Sequence, residues 1–132
     1  MKIGLLEDNP SILDYMQAVL TMAGHEIYPH VQSGSLLQTL LIAGQTRSQL
    51  PYDMVVIDIL LSGRTSGIDT IIQLRQRFPP EHLPIVVVSA CSQAELAWVQ
   101  ATFPDVATLR KPFKISAFLQ MIATIHVRSV AE

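Results

Sequence analysis

A chain of 132 residues, 49% of them apolar, fits one compact domain with its own core and leaves little room for a second. Charged residues make up 15% and the net charge is −2, so there is no basic stripe of the kind nucleic-acid binding requires. The single cysteine, Cys91, rules out an internal disulfide, and no apolar run approaches the length that spans a bilayer.

The N-terminal MKIGLLEDNP carries an apolar run, Ile3–Leu6, that is too short for a signal-peptide core and ends in Glu7 and Asp8. A cytoplasmic protein is the expectation. Asn9 can cap a helix, and Pro10 sits at the first helical position, where its missing N–H costs nothing. Ile12, Leu13, Met16, Val19 and Leu20 then recur at helical spacing, and Gly24 suits the position just past the end. Glu26–Tyr28 is a weaker run, suited to an edge strand. A second helix is expected from Ser35 to about Gly44, followed by a polar stretch, Gln45 to Gln49. Met54–Ile57 is short, rich in Val and Ile, and free of polar alternation, as in strands buried on both faces of a parallel sheet. It ends in Asp58.

A third helix should start near Gly67, carry Ile68, Ile71, Ile72 and Leu74, and stop before Pro79-Pro80. Ile85–Val88 is another buried run and ends in Ser89. A fourth helix covers roughly Gln93 to Ala101, with Trp98 expected to pack against the sheet or, as the alternative, to mark a partner surface. The weaker run Val106–Leu109 ends in Arg110 and Lys111. After Pro112 a fifth helix carries Ile115, Phe118, Leu119 and Ile122. Five such alternations predict an α/β fold, a parallel sheet with helices on both faces and right-handed crossovers. Ligands of such sheets bind at the carboxyl ends of the strands.

Polar residues stand at those ends. Glu7, Asp8 and Asp58 supply three carboxylates, Ser89 a hydroxyl and Lys111 an ammonium. Oxygen donors without His or Cys suit Mg²⁺ rather than zinc. Three clustered carboxylates repel, and a divalent ion with one lysine offsets their charge. A carboxylate facing Mg²⁺ and a lysine can accept a phosphoryl group, with Mg²⁺, Lys111 and Ser89 each taking one phosphoryl oxygen.

These residues, in order along the chain, resemble the response-regulator receiver (CheY-like) family. LLEDNP carries its acidic pair, MVVIDI its phosphoacceptor position Asp58, VVVSA its hydroxyl residue Ser89, and RKPF its lysine, Lys111. The resemblance runs from Lys2 to about His126. It implies a single flavodoxin-like domain over residues 1–126, with strand order 2-1-3-4-5 and five helices. Residues 127–132 are then a tail, after which an output domain can follow. It further implies Mg²⁺ held by Glu7, Asp8, Asp58 and the backbone carbonyl of Leu60. The expected phosphodonor is a histidine kinase or phosphotransfer protein, and the expected reader an output partner or domain, with homodimerisation possible. No contact with nucleic acid or membrane is implied, nor any catalysis beyond the domain's own phosphorylation and dephosphorylation. The Lys111-Pro112 bond is often cis in the family.

The chain departs from the family pattern in several places. Ser62 replaces a common proline in the loop after Asp58, and Gly67 stands one residue late. Thr108 replaces an aromatic switch residue. Leu60 replaces a polar residue that helps orient hydrolytic water, so self-dephosphorylation is expected to be slow. Taken singly, Asp8 reads as well as a helix cap, Glu7 as a charge near a helix N-terminus, and Lys111 as a solvated charge. Two other functions remain. A pseudo-receiver would bind partners without phosphorylation. A phosphatase with an aspartyl intermediate is disfavoured, because no second acid follows Asp58 by two residues. His25, His30, His82 and His126 show no metal-ligand spacing, and the glycines at 63 and 67 form no P-loop.

Overall fold

The structure, a computed structural model, describes residues 1–46, 50–59 and 67–131, the backbone alone at 46 and 126–131. Strands and helices alternate: β1 (Lys2–Leu6), α1 (Pro10–Met22), β2 (Glu26–His30), α2 (Ser33–Thr46), β3 (Met54–Ile57), α3 (Gly67–Arg77), β4 (Ile85–Ser89), α4 (Gln93–Thr102), β5 (Ala107–Arg110) and α5 (Ile115–Ala131). The five strands form one parallel sheet in the order β2-β1-β3-β4-β5. This is the flavodoxin-like arrangement expected from the sequence. No helix among the described residues is long and apolar enough to cross a membrane.

Burial follows position in the sheet. Every residue of β3 and β4 is buried, as their unbroken apolar runs require of central parallel strands. Strands β2 and β5 lie at the edges and are half-buried or exposed over most of their length. Pro29 is tolerated in β2 because an edge strand has a side with no ladder to complete.

The pleat sorts side chains to opposite faces. Val55, Ile57, Ile85 and Val87 pack with Leu36, Leu40, Ile71, Leu74, Leu96 and Val99 under α2, α3 and α4. Ile3, Leu5, Met54, Val56, Val86 and Val88 pack with Leu13, Met16, Leu20, Phe118 and Ile122 under α1 and α5. Each fully buried side chain of this size contributes about 1.5–3 kcal/mol through removal from water.

The helix boundaries have local causes. The side chain of Asn9 accepts hydrogen bonds from the N–H groups of Ser11 and Ile12, so Asn9, not Asp8, caps α1. Gly24 adopts φ +94°, which a side chain would resist, and it ends that helix. Helix α2 begins two residues earlier than the sequence suggests and passes through Gly44. A Cβ on Gly44 would lie 2.8 Å from the Phe78 ring, so this glycine makes room for a neighbour rather than stopping the helix. Helix α5 runs past residue 126, through Ala131. The Lys111-Pro112 bond is cis. Trp98 is 51% exposed rather than buried against the sheet, and its ring meets that of Phe103 edge-to-face, with centroids 6.4 Å apart.

Candidate functional site

The carboxyl ends of β1, β3, β4 and β5 bring the predicted residues to one edge of the sheet. Glu7 follows β1 and Asp58 follows β3, and these strands are hydrogen-bonded neighbours. The chain leaves each strand in a fixed register, because Glu7 N–H donates to the His30 carbonyl (3.1 Å) and Asp58 N–H to the Leu6 carbonyl (3.1 Å). Lys111 follows β5, and its N–H donates to the Ser89 carbonyl at 2.8 Å.

At the centre the Lys111 ammonium donates to Glu7 Oε1 at 2.6 Å and to Asp58 Oδ2 at 3.0 Å. Both carboxylates are almost completely buried, Glu7 at 1% and Asp58 at 5% exposure. Two buried acids thus share one cation. Burial raises the pKa of Glu7, and the nearby Asp58 charge adds to the rise. The hydrogen bond and charge of Lys111 and the Asn9 N–H (3.4 Å) pull it down without cancelling the rise. For Lys111, burial works against the charged form, but its bonds to Glu7 and Asp58 outweigh it and raise the pKa. The ammonium therefore stays protonated at neutral pH.

Asp8, the next residue after Glu7, is half-buried. Ser89 is fully buried at the end of β4, and its Oγ accepts from the Cys91 N–H at 3.4 Å. The expected Leu60 carbonyl ligand, and the loop containing Ser62, lie outside the described residues. Gly67, at the start of α3, is explained by proximity. A Cβ there would sit 2.5 Å from the Asp58 carbonyl oxygen and from Ile59 Cα, so only glycine lets α3 approach the segment behind the acid.

The donor set fits magnesium. It is made of oxygens, carries more negative than positive charge, and includes no sulfur or imidazole. No cage of three His, Cys, Asp or Glu side chains is present among the described residues. Mg²⁺ does not need one, since it keeps several waters and binds through one or two carboxylates.

Several supporting residues were not anticipated from the sequence. His30, near the other end of the crevice, pairs through Nδ1 with Ser35 Oγ and through Nε2 with Tyr52 OH, both at 2.7 Å. Burial lowers the His30 pKa. A neutral ring donates from one nitrogen and accepts at the other, so both hydroxyls are served. Tyr52 lies over Gly4, where a Cβ would meet its ring at 2.6 Å. Arg110 Nε donates to the Cys91 carbonyl (3.0 Å), and Gln100 Nε2 donates to Thr108 Oγ1 (2.6 Å).

A family model described as the response regulator receiver domain matches residues 3–123. No curated protein matches by sequence. Among solved structures, the chain is similar to chemotaxis protein CheY4 of Vibrio cholerae, with 18% identity, TM-score 0.74, and 94% of this chain and 97% of that one covered. It is similar to the response regulator protein TrrA of Thermotoga maritima, solved in complex with Mg(2+)-BeF, with 19% identity, TM-score 0.76, and 94% and 97% covered. It is also similar to a CheY-like receiver domain protein of Methanospirillum hungatei, with 17% identity, TM-score 0.78, and 98% and 96% covered. With the family model spanning most of its length, the chain belongs to the response-regulator receiver domains of two-component signalling.

Proposed function

We propose that this domain accepts a phosphoryl group on Asp58 in a magnesium-dependent reaction and passes the resulting conformational change to a partner. The observation that carries the reading is the Lys111 ammonium bonded at once to Glu7 and Asp58. It holds a buried carboxylate in place, beside a cation that can follow the incoming phosphoryl oxygens. An Asp58 carboxylate oxygen attacks phosphorus as the bond to the donor breaks, and the bonding electrons leave with the donor atom. With a phosphohistidine donor whose other ring nitrogen carries a proton, the leaving group is a neutral imidazole and the product an aspartyl phosphate. Catalysis here is positioning and charge neutralisation. Lys111 would take one phosphoryl oxygen and the Ser89 hydroxyl another. Magnesium, held by Asp8, Asp58 and Glu7 with the Leu60 carbonyl, would supply the remaining neutralisation.

The donor fits a histidine kinase or phosphotransfer protein acting in the cytoplasm, and the reader an output partner or attached domain. Residues 1–126 would form the receiver unit. Incubation with Mg²⁺ and acetyl phosphate should add one phosphoryl mass, lost in Asp58→Asn. No adduct, or an adduct that survives this substitution, rejects the proposal. Partner binding that is unaffected by Asp58→Asn would favour a phosphorylation-independent module, the reading that Thr108 in place of an aromatic motivates.

A further inference from the structure

Helix α4 is lightly held. Of its ten residues only Leu96 and Val99 are buried, and Trp98 is largely exposed. Polar ties supplement this small apolar contact at both ends. At its start, Ser92 and Glu95 form a reciprocal capping box, so the helix begins as a stiff unit. Only Ala90 and Cys91 separate that cap from Ser89 at the end of β4. The short link is fastened twice, by Cys91 N–H to Ser89 Oγ (3.4 Å) and by Arg110 Nε to the Cys91 carbonyl (3.0 Å). Toward its far end, Gln100 Nε2 donates to Thr108 Oγ1 of β5 at 2.6 Å.

Resting on the phosphorylation reading above, we propose that the Gln100–Thr108 bond is a latch that holds α4 in the unphosphorylated position and opposes the switch. A phosphoryl group on Asp58 places new acceptor oxygens in the crevice beside Ser89. When the Ser89 hydroxyl turns to donate to one of them, it no longer serves the Cys91 N–H in the same way, and the two-residue link is drawn toward the crevice. A capped helix does not absorb that pull by bending. It moves as a body, and the tie that resists at the other end is Gln100 to Thr108. A neutral, solvent-exposed hydrogen bond of this kind shifts a two-state equilibrium by about twofold. That is enough to tune a switch without locking it.

Thr108→Val keeps the β-branched shape and removes the acceptor. With 5-fluorotryptophan at Trp98, the sole tryptophan, ¹⁹F NMR reports the position of α4, and mass spectrometry reports the adduct. In Thr108→Val before phosphorylation, the resonance should move toward its position in the phosphorylated wild type. Adduct formation from Mg²⁺ and acetyl phosphate should quicken by about twofold, since reactivity follows the population of the competent state. Gln100→Leu should do the same, the double variant no more than either alone, and Thr108→Ser should restore wild-type behaviour. Wild-type resonance and rate in both single variants, or additive effects in the double variant, overturn the latch while leaving Asp58 as acceptor. Failure of the wild-type protein to form any adduct removes the phosphorylation reading and the latch with it.

Discussion

Two buried polar clusters flank the end of β1, and they are built on opposite principles. Around His30, every partner is neutral. Ser35 and Tyr52 serve the two ring nitrogens, Tyr28 stacks on Tyr52 at 5.2 Å, and Gly4 leaves the space the Tyr52 ring fills. Such a network is closed and has nothing left to bind. Around Lys111, two nearly inaccessible carboxylates share one ammonium. A surplus of buried charge of one sign is expensive unless something arrives to balance it. The difference separates a neutral, mutually satisfied cluster from one in which two acids share a single cation.

Removing Lys111 should give the largest effect. Lys111→Met should slow adduct formation by about 10²-fold, the scale of losing one preorganised charge contact to a developing oxyanion. In magnesium-free buffer it should also lower the unfolding free energy by about 3 kcal/mol, because two buried acids lose their shared partner. Phosphoryl labelling and urea denaturation measure the two. The His30 cluster should show the reverse profile. Tyr52→Ala should cost about 3–5 kcal/mol of stability through the cavity it leaves. Tyr52→Phe should cost about 1–3 kcal/mol through an unpaired His30 nitrogen. Labelling rates in Tyr52→Phe should remain within about twofold of wild type. A large loss of labelling there would mean the two clusters are coupled rather than distinct.

Magnesium sharpens the same contrast on a smaller scale. At ten times its dissociation constant it should raise the unfolding free energy by about 1.4 kcal/mol. That gain should persist in Tyr52→Phe and shrink in Asp58→Asn, as read from denaturation midpoints with and without the ion.

The charged cluster was legible in the sequence because strand periodicity and chain order are enough to find it. Unbroken runs such as Met54–Ile57 and Ile85–Val88 mark central strands, and the polar residue after each must fall on one edge of a parallel sheet. The closed cluster was not legible. His30, Ser35 and Tyr52 come from three segments with no spacing rule between them, and their meeting depends on the lie of the Tyr52 ring over Gly4. Trp98 was misplaced for a related reason. Helical spacing shows which side of α4 is apolar, but the helix is so evenly mixed that Leu96 and Val99 alone take the sheet side. The glycine at 44 looked like a helix end because its actual cause, the Phe78 ring, lies far along the chain.

The smallest effect concerns Asn9, which touches both the helix and the crevice by different atoms. Its side chain caps α1, while its backbone N–H reaches Glu7 Oε2 at 3.4 Å. Asn9→Ala removes the cap and keeps the backbone donor. It should cost about 1 kcal/mol of stability and leave labelling nearly unchanged. Asn9→Ser should retain most of the cap and change neither quantity much. Asn9→Asp also keeps the cap, but it sets a fourth acid next to Asp8. Of the three, only it should slow labelling by a negatively charged donor, and the slowing should fade as added salt screens the new charge. A salt-independent loss of labelling in Asn9→Ala would instead show that the side chain, not the backbone, holds Glu7 in place.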